Sequence, residues 1–210
     1  MRFGADEAGK GPVLGSMFAA AVRAPVDALP EDVADSKDVR PERRVELAGE
    51  IRAAATVGVA EIPASRIDDP ATDMNTLTVA AHAAAIGDAV TDGDAGLCDA
   101  GDTDEARFAR RVGERVERDI DLRAEHRADE RDAHVGAASI VAKVERDAHV
   151  EALSEAHGNV GSGYPSDPTT REFLREFVAE HGELPDCARR SWSTCDDVLA
   201  KAEQSALDEF

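Results

Sequence analysis

The stretch Asp6-Glu7-Ala8-Gly9-Lys10-Gly11-Pro12-Val13-Leu14-Gly15 decides how this chain is read. It closes an alternating run, Arg2 to Asp6, whose period of two is that of a strand. Two adjacent carboxylates then stand where that strand ends, and a glycine turn with a single lysine follows. In open α/β sheets, reactive acids gather at the carboxyl ends of strands. Glycines let backbone amides come close to a ligand. Neither feature is specific alone. With 44 acids in the chain, any one is more often a solvated surface group, and Gly9-Lys10-Gly11 by itself also reads as a plain hairpin turn.

Working outward, Val13 to Ala24 is an apolar run expected to be a second strand after the turn. Pro41 to Ala55 has proline near a helix start and apolar positions at Val45, Leu47, Ala48 and Ile51. Thr56 to Ile62 reads as a third strand and Thr76 to Val90 as an Ala-rich buried helix. Gly96 to Asp99 is a short apolar strand ending in an acid. Asp104 to Val116 is a helix with an acidic first turn, and Ile120 to Glu125 alternates as a strand. Val135 to His157 is a long helix stopped by Gly158. A loop, Gly161 to Pro168, precedes a helix from Thr169 to His181 with a threonine cap. A last helix begins near Thr194. This order predicts a mixed sheet flanked by helices, then a helical C-terminal part.

The chain has 210 residues, 42% hydrophobic and 4% aromatic, which suits one ample core. No apolar run is long enough for a membrane span. The strand-like start carrying Asp6-Glu7 is unlike a signal peptide. Cys98, Cys187 and Cys195 have no metal-ligand spacing, and reduced thiols in the cytoplasm are expected. The 44 acids against 24 bases give a net charge of -20, which ordinarily argues against nucleic acid. Yet the only lysines are Lys10, Lys37, Lys143 and Lys201. A lysine-poor, acid-coated surface fits a cytoplasm near molar salt, where a Debye length of about 3 Å screens self-repulsion.

Asp6, Asp99 and Asp129 each follow a predicted strand, and Glu7 stands beside the first. Asp102 rivals Asp99, and Glu130 and Asp132 rival Asp129. Four hard oxygen ligands without His or Cys favour Mg²⁺ or Mn²⁺ over Zn²⁺. Two such ions about 4 Å apart would serve phosphoryl transfer.

Read together, the pieces resemble ribonuclease HII of the archaeal type. Asp6 to Gly15 is similar to that family's opening signature. Asp35-Ser36-Lys37 resembles its Asp-Ser-Lys, and Cys98 to Ala109 resembles the segment carrying its third acid. Ala128-Asp129, followed by Gly136 to Asp147 (GAASIVAKVERD), resembles the segment with the fourth. Gly161-Ser162-Gly163-Tyr164-Pro165-Ser166-Asp167 is similar to its GSGYPSD loop. The matches run in order from residue 2 to about 195.

The resemblance implies a ribonuclease H-like α/β fold: a five-stranded mixed sheet flanked by helices, with a C-terminal helical part. Residues 1–195 would form the catalytic domain and 196–210 a tail. It implies a metal-dependent endonuclease that hydrolyses RNA in RNA/DNA hybrids. Such an enzyme also incises 5′ of single ribonucleotides in duplex DNA, leaving a 3′-hydroxyl and a 5′-phosphate. Asp6, Glu7, Asp99 and Asp129 would be catalytic and would hold Mg²⁺ or Mn²⁺. Gly9, Lys10 and Gly11 would grip the ribose 2′-hydroxyl, the group that tells RNA from DNA on the sugar. Tyr164 would pack on the sugar of the following nucleotide. Lys37, Ser139 and Lys143 are candidates for phosphate contacts.

Lys10 stands where arginine is common, Asp38 where many members have a second lysine, Ala133 where proline is common, and Gly136 where a serine is usual. The six histidines match no family catalytic position and are expected to be solvated. Gln204, Leu207 and Phe210 fit a Gln-x-x-Leu-x-x-Phe pattern, similar to the box by which replication enzymes bind the sliding clamp. A monomer is expected. The rival readings are a nuclease of the same fold restricted to long hybrids, and a non-catalytic hybrid-binding module. Tyr164 in its loop argues against the first, and the four acids argue against the second.

Overall fold

Strand β1 (Arg2–Ala8) is the centre of the sheet. In the computed structural model, which describes residues 1–35 and 40–208, it pairs antiparallel with β2 (Met17–Ala24) and parallel with β4 (Ala95–Asp99). Strand β5 (Asp121–Glu125) pairs parallel with β4, and β3 (Thr56–Ile62) lies beyond β2, giving the order β3-β2-β1-β4-β5. The mixed five-stranded sheet expected from the sequence is therefore present. The helices are α1 (Pro41–Ala54), a single turn α2 (Ala64–Ile67), α3 (Met74–Ala89), α4 (Glu105–Gly113), α5 (Ala133–His157), α6 (Pro168–His181) and α7 (Ser193–Asp208). Among the described residues, no helix is long and apolar enough to cross a membrane.

The residues divide into two compact units. The first comprises residues 1–8, 18–61 and 74–146, and holds the sheet with α1, α3 and α4. Its core is built by Ala20 and Val22 of β2, Leu47 and Ile51 of α1, and Ile140 and Val141 of α5. Small residues set the approach of α5: a Cβ on Gly4 of β1 would lie 2.2 Å from the Val135 backbone nitrogen. That close contact places the start of α5 directly over the strand that carries Asp6 and Glu7.

The second unit comprises residues 9–17, 62–73 and 147–210. Its core joins Val13 and Leu14 to Phe173, Leu174 and Val178 of α6 and Cys195 and Val198 of α7. Here the expected strand from Val13 is corrected, because β2 begins only at Met17. The amides of Val13 and Leu14 both donate to the Gly163 carbonyl, and Leu14 forms one isolated bridge with Ala188. Their apolar side chains belong to a buried loop rather than a ladder. The cap of α6 is also corrected. Asp167, not a threonine, accepts from the Thr169 amide at 2.9 Å, with Pro168 in the first turn.

Candidate active site

In the first unit, the sheet brings three strand ends together. Parallel pairing sets Ala5 opposite Cys98 and Asp99 opposite Glu125, so Asp6 and Asp99 follow at adjacent ends. The chain leaving β5 turns through a short 3₁₀ segment, Ala128–Glu130. There the Ala128 amide donates to Asp99 Oδ1 at 2.7 Å, which ties the segment bearing Asp129 to β4.

Asp6 is buried, and the Glu7 amide donates to its Oδ1 at 2.7 Å. Burial pushes its pKa well above the carboxylate range, and the charges of Glu7 and Asp99 push the same way. A hydrogen bond from Ser139 and the proximity of His82 oppose the rise. Asp99 is raised too, first by burial and then by Asp129 and Glu7, against the Ala128 amide. The charges of Glu7 and Asp99 thus act on Asp6, and those of Asp129 and Glu7 act on Asp99. Among the described residues, no three of these acids bring ligand oxygens within 4.8 Å of one another.

The rivals are otherwise engaged. Asp102 accepts from Arg107 at 2.6 and 3.1 Å, and that guanidinium lowers it to about 2. Glu130 pairs with Arg127 at 2.9 Å. Asp132 accepts from the amides of His134 and Val135 at the start of α5. Asp102 and Glu130 thus have a guanidinium beside them, and Asp132 two backbone amides, whereas the charges beside Asp99 include those of Asp129 and Glu7.

The expectation of solvated histidines is corrected at two positions. His134 is buried and its Nε2 lies 3.0 Å from the Ala24 carbonyl. His82, on α3, is fully buried, stands edge-on to Phe108 at 5.1 Å, and its Nε2–H donates to Glu7 Oε2 at 2.8 Å. No spacing in the sequence pointed from residue 82 to residue 7. Ser139, a candidate for phosphate contact, hydrogen-bonds Asp6. Lys143 is exposed on α5.

In the second unit, the predicted sugar-reading residues meet. Gly9 has a φ of +90°, which only glycine adopts cheaply. A methyl on Gly11 would lie 3.7 Å from Tyr164 Cε1. The Val13 and Leu14 amides hold this turn to the Gly163 carbonyl at 2.8 and 3.2 Å. Tyr164 keeps 39% of its surface exposed. Its loop is fixed from below: Ser162 donates its amide to Asp167, and Gly163 donates to Thr170, which is itself buried.

Sequence reading missed Arg189. It is wholly buried and donates to the carbonyls of Gly15, Lys10 and Gly9 at 2.8, 3.0 and 2.6 Å. Trp192 lies 5.1 Å from its guanidinium and donates to the Gly11 carbonyl at 3.4 Å. By turning the carbonyls of residues 9–11 inward, these two side chains fix the conformation of the turn. His157, Asp186 and Cys187 also come close enough to hold a metal ion. Burial, however, pushes the Cys187 thiol to about 11, and Asp186 is almost fully exposed. Lys37 and Phe210 lie outside the described residues, as do Asp38 and the side chain of Leu207; Gln204 is exposed on α7.

The model of the family described as Ribonuclease HII matches residues 3–195. A ribonuclease HII from Haloarcula marismortui is 65% identical over 211 residues, which span 100% of both chains. Among solved structures, ribonuclease H2 from Pyrococcus horikoshii OT3 superposes with a TM-score of 0.91 at 32% identity, over 97% of this chain and 99% of that one. A complex of PCNA with ribonuclease HII from Archaeoglobus fulgidus gives a TM-score of 0.83 at 36% identity, with 100% of both chains covered.

Proposed function

The chain belongs to the ribonuclease HII family, divalent-metal-dependent endonucleases that cut the RNA of RNA/DNA hybrids, and from that premise we propose which of its residues do the work. Asp6, Glu7, Asp99 and Asp129 hold the metal at the scissile phosphate. The observation that supports this assignment is geometric: parallel pairing sets the ends of β1 and β4 side by side, and the Ala128 amide ties the segment bearing Asp129 to Asp99. The acids thus gather at one edge of the sheet, where a dication would relieve the cost of burying Asp6 beside Glu7 and Asp99. The donors are all hard oxygens, so Mg²⁺ or Mn²⁺ is the fitting ion. Bound there, divalent ions supply activation of water and stabilisation of the leaving oxygen.

The chain's own residues orient this chemistry. His82 fixes the Glu7 carboxylate and the Ala128 amide fixes that of Asp99. Gly9, Lys10 and Gly11, held by Arg189, present the turn to the ribose 2′-hydroxyl. Tyr164 packs on the next sugar, so a single ribonucleotide in duplex DNA is a substrate, incised on its 5′ side. Lys37 and Lys143, with Ser139, contact backbone phosphate. The deciding comparison is Asp99→Asn against Asp102→Asn. The first is expected to lose about two orders of magnitude or more in kcat, and the second to cut normally. The reverse order would move the site to Asp102.

A second reading concerns the tail. The pattern Gln204, Leu207, Phe210 and the likeness to a ribonuclease HII solved with PCNA both favour a sliding clamp as partner. Leu207 and Phe210 are three residues apart, the spacing of one helical face, and suit a hydrophobic groove. Calorimetry at high salt against the clamp of the same organism should show binding near micromolar, roughly 8 kcal/mol. A Leu207→Ala/Phe210→Ala variant should lose it and keep nuclease activity. Equal titration curves would remove the tail from the account.

A further inference from the structure

Lys201 is the one lysine that no recognised motif explains. In a chain of net charge -20 with only four lysines, its place is informative. It lines a cavity of about 380 Å³ between α6 and α7. Arg171 and Arg175, one helical turn apart on α6, line the same cavity. Thr194 adds a hydroxyl and Asp197 a single opposing charge, and Pro165 forms part of the wall. Three cations against one acid is an inversion of the chain's overall balance.

Among the described residues, neither Arg171 nor Arg175 has a carboxylate within ion-pair distance; the Nε of Arg175 donates only to the Arg171 carbonyl, at 3.3 Å. Arg43, Arg66, Arg107 and Arg127 are each paired with an acid. Arg115, Arg118 and Arg123 show no ion pair among the described residues either, so what sets Arg171 and Arg175 apart is that they meet Lys201 in one cavity. The walls are firm, since Phe173, Leu174 and Val178 pack with Cys195 and Val198 beneath them. Pro165 directly follows Tyr164, so the cavity adjoins the loop that meets the sugar.

We propose that Arg171, Arg175 and Lys201 form a subsite for a backbone phosphate of the duplex flank beyond the nucleotide that Tyr164 touches. The inference rests on the reading of Tyr164 given above. Phosphodiester oxygens suit the planar fork of arginine and the point charge of lysine, and an interaction of this kind positions a duplex without reading its sequence. In a halophilic chain such cations survive where they bind something, because unspecific attraction is screened away.

The test uses the full chain and a duplex bearing one ribonucleotide. Anisotropy without divalent metal gives affinity across a KCl series, at concentrations where melting shows the fold intact. Replacing all three residues, R171Q/R175Q/K201Q, should flatten the log–log salt slope by about 0.9 for each phosphate that is no longer neutralised. KM should rise roughly tenfold or more at the lowest salt that keeps the fold, while kcat stays unchanged because these residues lie outside the acid cluster. The charge-conserving R171K/R175K variant should keep most of the slope, which a purely structural role would not predict. Inorganic phosphate alone is the second arm. If phosphate competes at the cavity while duplex affinity and slope are unchanged in the glutamine variant, the cavity holds a free anion and the proposal fails. An unchanged slope and KM without any phosphate effect also overturns it. Wild-type cleavage in the same assay keeps the family activity separate from either outcome.

Discussion

At Asp6, burial and the charges of Glu7 and Asp99 oppose ionisation. A carboxylate whose folded pKa lies above its unfolded value costs stability once the pH exceeds the unfolded value, and the cost grows until the pH passes the folded one. Asp6→Asn is therefore expected to raise the Tm of the metal-free protein at neutral pH while lowering kcat by about two orders of magnitude or more. Mg²⁺ should raise the wild-type Tm by mass action and raise that of the variant less. A variant that melts earlier and still cuts would put the metal elsewhere. Tyr164 makes a different prediction. Tyr164→Ala should slow cleavage at a single ribonucleotide more than within a long hybrid, where neighbouring riboses offer alternative registers. Tyr164→Phe, which keeps the ring, should retain the preference. Equal losses on both substrates would leave Tyr164 as a loop anchor.

Among the elements, the glycine turn depends on a residue almost the whole chain away. Arg189→Met strands three carbonyl acceptors, each worth about 1–3 kcal/mol when left unpaired in the interior, so a lower Tm is expected. Arg189→Lys is the sharper probe. It keeps the charge without the fork, and should fold yet distinguish ribose from deoxyribose less well. Undiminished discrimination would mean the turn holds itself. At the start of β4, Asp94 accepts from Arg23 at 2.5 Å and from the N-terminal amine at 2.7 Å. Burial pushes its pKa up, but these bonds and the Thr91 amide prevail and hold it well below the usual range. Its stabilisation is thus present above the ordinary carboxylate pKa of about 3.9 and is lost as the pH falls toward the folded value. On acid titration, the Tm difference between wild type and Asp94→Asn should shrink; a constant difference would exclude the linkage.

These elements also show what a sequence carries. Acids at strand ends were legible because strand periodicity and chain order place them there. Arg189 and His82 were not, because their partners lie 174 to 180 and 75 residues away, and nothing local distinguishes them from surface groups. Val13 to Gly15 misled because an apolar run looks alike in a strand and a buried loop. The departure at Gly136 has a packing reason visible only in three dimensions: a Cβ there would lie 2.6 Å from the Val33 carbonyl oxygen. It concerns the fit of α5 against a neighbouring segment.

At the scale of the whole molecule, 44 acids must be screened for the fold to persist. In dilute buffer without divalent ions the protein should lose structure, and molar KCl should restore it, as circular dichroism would show. Retained structure in dilute buffer would refute salt adaptation. The same salt weakens phosphate contacts, so the activity optimum reflects both effects. Asp6 and Glu7 of the first unit and the turn of the second are joined in the chain by Ala8 alone, so the proposed assignment couples cutting and sugar reading in the sequence itself. The most direct measurement follows from that coupling. Two duplexes of the same sequence, one all DNA and one with a single ribonucleotide, are incubated with the protein and Mg²⁺ in KCl, and the product ends are mapped. The account predicts incision only in the second, on the 5′ side of the ribonucleotide, leaving a 3′-hydroxyl and a 5′-phosphate, and none once the metal is chelated. Incision of both duplexes at equal rates, or of neither, would contradict it.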